Sequence, residues 1–166
     1  MRSDAVVAVI IATICILLYI WFRFKDLRFG ASAVIALIHD VLIVLMVYAV
    51  LRISVGTTFI ACMLTIVGYS INATIVIFDR IRENLKEMER ASEEEIVNAS
   101  ISQTLSRSIN TSITTFITVF CLYILGVPSI KEFALPIMAG IIGGGWSSVM
   151  ITGTLWCLMR KAGKKA

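Results

Sequence analysis

The sequence predicts an all-α fold: a polytopic membrane helix bundle with five transmembrane helices, forming a single transmembrane domain over residues 1–166. Three observations carry that prediction. First, 58% of the residues are hydrophobic and 16% are charged, whereas soluble domains are about 45–50% apolar and about 25% charged. Second, the apolar residues fall into five long blocks, roughly 5–22, 31–51, 56–78, 109–127 and 133–159. About 20 helical residues cross a hydrocarbon core of about 30 Å, and each block approaches or exceeds that length. Third, twelve of the fifteen Lys and Arg residues lie between blocks one and two, between blocks three and four, or after block five. The positive-inside rule then puts the N-terminus outside and the C-terminus in the cytoplasm.

The blocks read as follows. The first ends in Trp21 and Phe22, which suit a membrane interface. No basic segment precedes it and no small residues follow it, so it is not read as a signal peptide. "FRFKDLRFG" then makes a tight cytoplasmic turn. The second block carries His39 and Asp40, and the third carries Tyr69, Ser70, Asn72 and Thr74 before continuing into the charged "DRIRENLKEMER". Ser92 with Glu95 three residues later is a capping box. It predicts the start of a short amphipathic helix at the cytoplasmic membrane surface, with Ile96, Ala99, Ile101 and Leu105 on its apolar side, inside a connection over 79–108. The fourth block opens with Arg107, Ser108, Asn110, Thr111, Ser112, Thr114 and Thr115. The fifth contains "AGIIGGGWSS", where Gly140, Gly143, Gly144 and Gly145 allow close helix approach and make the helix locally soft.

Polar groups at membrane depth usually face a bundle interior or a water path. Asp40 and His39 lie about nine residues, roughly 13 Å, inside the second block, and Asn72 about seven residues, roughly 10 Å, inside the third. Both groups therefore reach a similar depth. A charged carboxylate there costs about 2.5–3.5 kcal/mol even on the gentler insertion scale, so Asp40 should be paired or protonated. Asp40, His39, Asn72, Thr74, Arg107 and Thr114 are the candidates for a proton or ion pathway. Asn and Thr serve equally well as interhelical hydrogen-bond glue, and Arg107 as an interfacial anchor. The four cysteines fall one each in four blocks without a Cys or His cluster, so no metal site and no cofactor is expected. No nucleophile–base motif or phosphate-binding loop occurs, so no enzyme is expected. The net charge of +4 is accounted for by topology and contact with the lipid bilayer, without nucleic acid.

"GYSINATIVIFDRIRENLK" at 68–86 resembles the signature of the SecF family, membrane subunits of the SecDF protein-export complex in the RND superfamily. "RSDA" at 2–5, "ALIHDV" at 36–41 and "TLSRSINTSITT" at 104–115 extend the resemblance along the chain in order and spacing. The family has six spans, with an extracytoplasmic domain between the first two. The resemblance implies that this chain corresponds to spans two to six, without the front. It also implies a multi-pass protein of a bacterial or archaeal cytoplasmic membrane that assists protein translocation. The implied partners are SecD, the SecYEG translocon, YajC and the translocating preprotein. The family has Asp directly after the Asn of GYSIN, where it carries protons that couple the proton-motive force to export; this chain has Ala73. Asn72 then reads as the remaining half of a site whose proton coupling is in doubt, with Asp40 and Arg107 as the less favoured substitutes for the missing carboxyl. The rival readings are an autonomous small ion transporter or channel, and a structural subunit that binds SecD without transport.

Overall fold

The computed structural model describes residues 26–165, with side chains through Ala162, together with positions 7, 11, 14, 15, 18, 19, 22 and 23. The first expected span, 5–22, lies mostly outside the described residues. Four helices among the described residues are long and apolar enough to cross a membrane.

Helix α1, Leu27–Leu51, begins earlier than the apolar block because Asp26 caps it, accepting from the Arg28 backbone N–H at 2.9 Å. It ends where Arg52 turns into the left-handed region at φ 52°. Helix α2, Thr57–Glu87, has 31 residues, about 46 Å at 1.5 Å per residue, so its charged end projects beyond the membrane. Helix α3, Glu93–Leu125, has 33 residues. Helix α4, Pro128–Ser147, opens on a proline whose missing N–H is harmless at that position. It runs through a π-helical segment, Ser148–Thr152, into α5, Gly153–Lys165.

The short surface helix is not a separate element. Both bonds of the capping box form: the Glu95 N–H donates to Ser92 Oγ at 3.3 Å, and the Ser92 N–H donates to Glu95 Oε2 at 2.8 Å. The helix that starts there continues without a break to Leu125. Nothing interrupts it, since no Gly or Pro lies between 93 and 125. Accordingly, the connection expected over 79–108 shrinks to a few residues between two projecting helix ends. Asn84 Nδ2 fastens those ends, donating to Ser100 Oγ at 2.8 Å and to Gln103 Oε1 at 2.9 Å.

Helix α4 packs against α1, α2 and α3 and is the centre of the bundle. Two apolar cores result. One contains Phe29, Leu37, Ile71, Phe78, Ile96 and Trp156, with the Phe29 and Trp156 rings stacked at 5.0 Å. The other contains Val44, Cys62, Ile66, Ile137 and Ile141. Ion pairs at the end of the bundle beside the first core join Arg23 to Asp79 at 3.1 Å and Arg160 to Glu93 at 3.1 Å, and Lys161 contacts Glu94. The starts of α1 and α3 and the ends of α2 and α5 therefore share one charged end. The buried residues of α3, Ile96, Val97, Ser100 and Thr104, all lie in its first half. The rest of that helix lies on the outside of the bundle.

Candidate functional site

Asp40 sits between the two cores. Its neighbours along α1, Leu37 and Val44, belong to different cores, as do Ile71 and Ile66 on α2. The carboxyl is fully buried. The Ser70 hydroxyl donates to Oδ2, and His39 Nδ1 lies 3.1 Å from Oδ1. From α4 the approach is made by Gly144, where a Cβ would lie 3.5 Å from Asp40 Oδ2 and 3.4 Å from the Ser70 Cβ. Three helices thus meet at one carboxylate. His39 is partly exposed, and its ring lies 5.8 Å from that of Trp146 on α4.

The other candidates occupy a different side of α2. Along a helix, positions 69, 72, 73 and 76 share one face and 66, 70, 74 and 77 share the next. Thr74 is accordingly buried among the core residues. Asn72, Ala73 and Val76 instead line a cavity of about 260 Å³ with Arg107 and Thr111 of α3 and Ser148 of the π segment. The Tyr69 hydroxyl donates to Ser112 Oγ at 2.8 Å beside it, tying α2 to α3. Arg107 is the one charged side chain on this lining, and Ala73 gives it no acid to face. Among the described residues no ion pair joins Arg107 to Asp40, so the structure does not bring the two alternatives to Ala73 together. Thr114 belongs to neither group. It is exposed on α3, and its hydroxyl donates to the carbonyls of Asn110 and Thr111 at 2.9 and 3.0 Å.

The four glycines of α4 each meet a different neighbour. A Cβ at Gly140 would overlap the Ile66 side chain; at Gly143 it would come 2.7 Å from Ile43 Cδ1; at Gly145, 2.9 Å from Ser112 Oγ. Gly144 faces Asp40, as described. The glycine run therefore sets the distance from α4 to α1, α2 and α3 at once. The π segment follows directly. There the Ser148 hydroxyl bonds back to the Gly145 carbonyl at 3.0 Å, and that of Thr152 to the Ser147 carbonyl at 3.4 Å, five residues back. Such π turns occur inside α-helices, frequently at functional sites. Neither it nor the pairing of Asp40 with Ser70, 30 positions away, has a local sequence signal.

Comparison with known proteins agrees with this architecture. Residues 1–162 match the family of protein export membrane proteins SecD/SecF, C-terminal. The chain is 46% identical over 164 residues to the protein translocase subunit SecF of Alicyclobacillus acidocaldarius, covering 97% of this chain and 53% of that one. It is 45% identical over 165 residues to the protein translocase subunit SecDF of Thermus thermophilus, covering 98% of this chain and 22% of that one. The crystal structure of SecDF, a translocon-associated membrane protein from the same organism, superposes with a TM-score of 0.92 at 44% identity, covering 96% of this chain and 22% of that one. The chain thus spans about half the length of the SecF relative and about a fifth of SecDF. With its bundle of apolar helices, it is a multi-pass membrane protein and belongs to the SecD/SecF C-terminal family of protein-export membrane proteins.

Proposed function

We propose that the chain is the membrane portion of a SecF-type subunit that pairs with SecD, assists translocation of preproteins and lacks proton coupling at position 73. The observation that carries this reading is the cavity between α2 and α3, in which Ala73 and Arg107 line one space. An Asp at 73 would bring a carboxyl to a cavity already lined by a guanidinium, where a nearby opposite charge favours ionisation and desolvation opposes it. Such a group gains or loses a proton as the balance between the two shifts. Ala73 has no proton to exchange, so the chain keeps the cation and lacks its switch.

The pairing rests on α3. Arg107, Asn110, Thr111, Thr114 and Thr118 recur at helical spacing and are all exposed. The threonine hydroxyls are bonded to carbonyls one turn back, so the ridge is internally satisfied rather than packed. A polar ridge on a membrane helix suits a facing protein surface better than lipid. The shared charged end formed by α1, α2, α3 and α5 supports a cytoplasmic C-terminus by the positive-inside rule, and SecYEG and YajC remain the further partners that the family resemblance implies. The first expected span, over 5–22, belongs to this reading and joins the four described ones. The role is non-enzymatic and needs no cofactor.

A photo-cross-linking residue at Thr114, in cells co-expressing the matching SecD, tests the pairing. An adduct of one chain with SecD is expected. An adduct of two copies of this chain would favour the autonomous transporter or channel instead.

A further inference from the structure

Asp40 and His39 lie outside the cavity at Ala73 and have no part in the export reading above. Asp40 is fully buried in the middle of α1. Among the described residues, the one ionisable side chain against it is His39. From α2 it meets the neutral Ser70 hydroxyl, with neutral Thr74 one turn further on. From α4 it meets Gly144, and the nearby Ser147 and Ser148 hydroxyls bond to carbonyls of their own helix. A carboxylate beside a neutral imidazole would therefore leave an uncompensated negative charge between two apolar cores, an arrangement that buried ionic groups avoid by pairing or by neutralisation.

We infer that His39 and Asp40 share one proton, forming a net-neutral proton-binding site at mid-membrane that is separate from position 73. Two states satisfy the charge: imidazolium with carboxylate, and imidazole with carboxylic acid. They interconvert by breaking one N–H bond at Nδ1 and forming one O–H bond at Oδ1 across the 3.1 Å contact, with no other reactant. In both states Nε2 carries a hydrogen on the far side of the ring. The His39 side chain is 35% exposed while that of Asp40 is 0% exposed, so the imidazole is the edge through which the buried carboxyl exchanges its proton. Ser70 holds Oδ2 and leaves Oδ1 for His39. Gly144 comes up to Oδ2 from α4, where a Cβ would stand in ordinary contact at 3.5 Å.

The chain contains one histidine, so its ring nitrogens give unambiguous signals. The test is ¹⁵N solid-state NMR of the histidine-labelled chain in phosphatidylcholine bilayers near neutral pH, with infrared detection of protonated carboxyl groups. Either a cationic imidazole, or a neutral imidazole together with a protonated carboxyl band that is lost in Asp40→Asn, is the expected result. A neutral imidazole with no protonated carboxyl in the unaltered chain overturns the proposal. So does an imidazole that stays cationic in Asp40→Asn, because the proton would then belong to His39 alone. His39→Gln gives an independent reading: with no cation left, the protonated carboxyl band of Asp40 must be present, and its absence overturns the proposal.

Discussion

Gly140 and Gly144 lie one helical turn apart, yet a methyl group would have opposite consequences at the two. At Gly140 it would collide with Ile66 and approach Val44, both fully buried. At Gly144 it would reach ordinary contact with Ser70 and Asp40. Gly140→Ala is therefore expected to destabilise the bundle by about 1–3 kcal/mol, the usual penalty of overpacking. Gly144→Ala is expected to be neutral or slightly stabilising, because Ala is the better helix former by about 1 kcal/mol. Thermal unfolding of the two variants in one detergent compares them directly. Equal losses at both positions would contradict the packing described. The sequence made the glycines legible as close-approach positions, since small residues at four-residue spacing have few other uses in a span. It did not reveal which neighbour each one meets. Asp40 was legible in the same limited way: its type and depth demand a partner, but Ser70 is 30 positions away and no pattern links them.

At the scale of elements, α3 shows what sequence reading catches and what it loses. The start was legible because Ser92 and Glu95 satisfy backbone donors through side chains at a fixed spacing, and both bonds are present. The backbone hydrogen bond from Ser92 also holds the Glu95 carboxyl below its ordinary range. Ser92→Ala is expected to remove about 1 kcal/mol from the helix start, seen as faster amide hydrogen exchange over residues 93–97 with the membrane half unchanged. Unaltered exchange there would show that the Arg160–Glu93 pair and the Lys161–Glu94 contact hold the end alone. What the sequence obscured was continuity. A change from amphipathic to apolar composition near Arg107 looks like a boundary between two helices. The backbone meets no breaker there, and one helix serves two solvents. The π segment after the glycine run was equally hidden, because it depends on how α4 fits three neighbours rather than on its own residues.

Across the whole molecule, α2 separates two sites that the sequence placed at similar depth. Asp40 faces the interior between two apolar cores, whereas Ala73 and Arg107 face a cavity on the side of α3. Similar depth is what residue counting along each block leads one to expect. Direction was not legible, since a rotation of 100° per residue turns adjacent positions toward different neighbours. In the function proposed above, Ala73 leaves Arg107 without the acid that export coupling requires. The most direct test is secretion in cells depleted of SecDF, supplied with the matching SecD and with this region joined behind a SecF front. The sequence as it stands is compared with Ala73→Asp and with Ala73→Asp combined with Arg107→Ala. Secretion dependent on the proton-motive force is expected with Ala73→Asp, and neither of the other two forms should restore it. Equal secretion with Ala73 and with Asp at that position would contradict the proposed function.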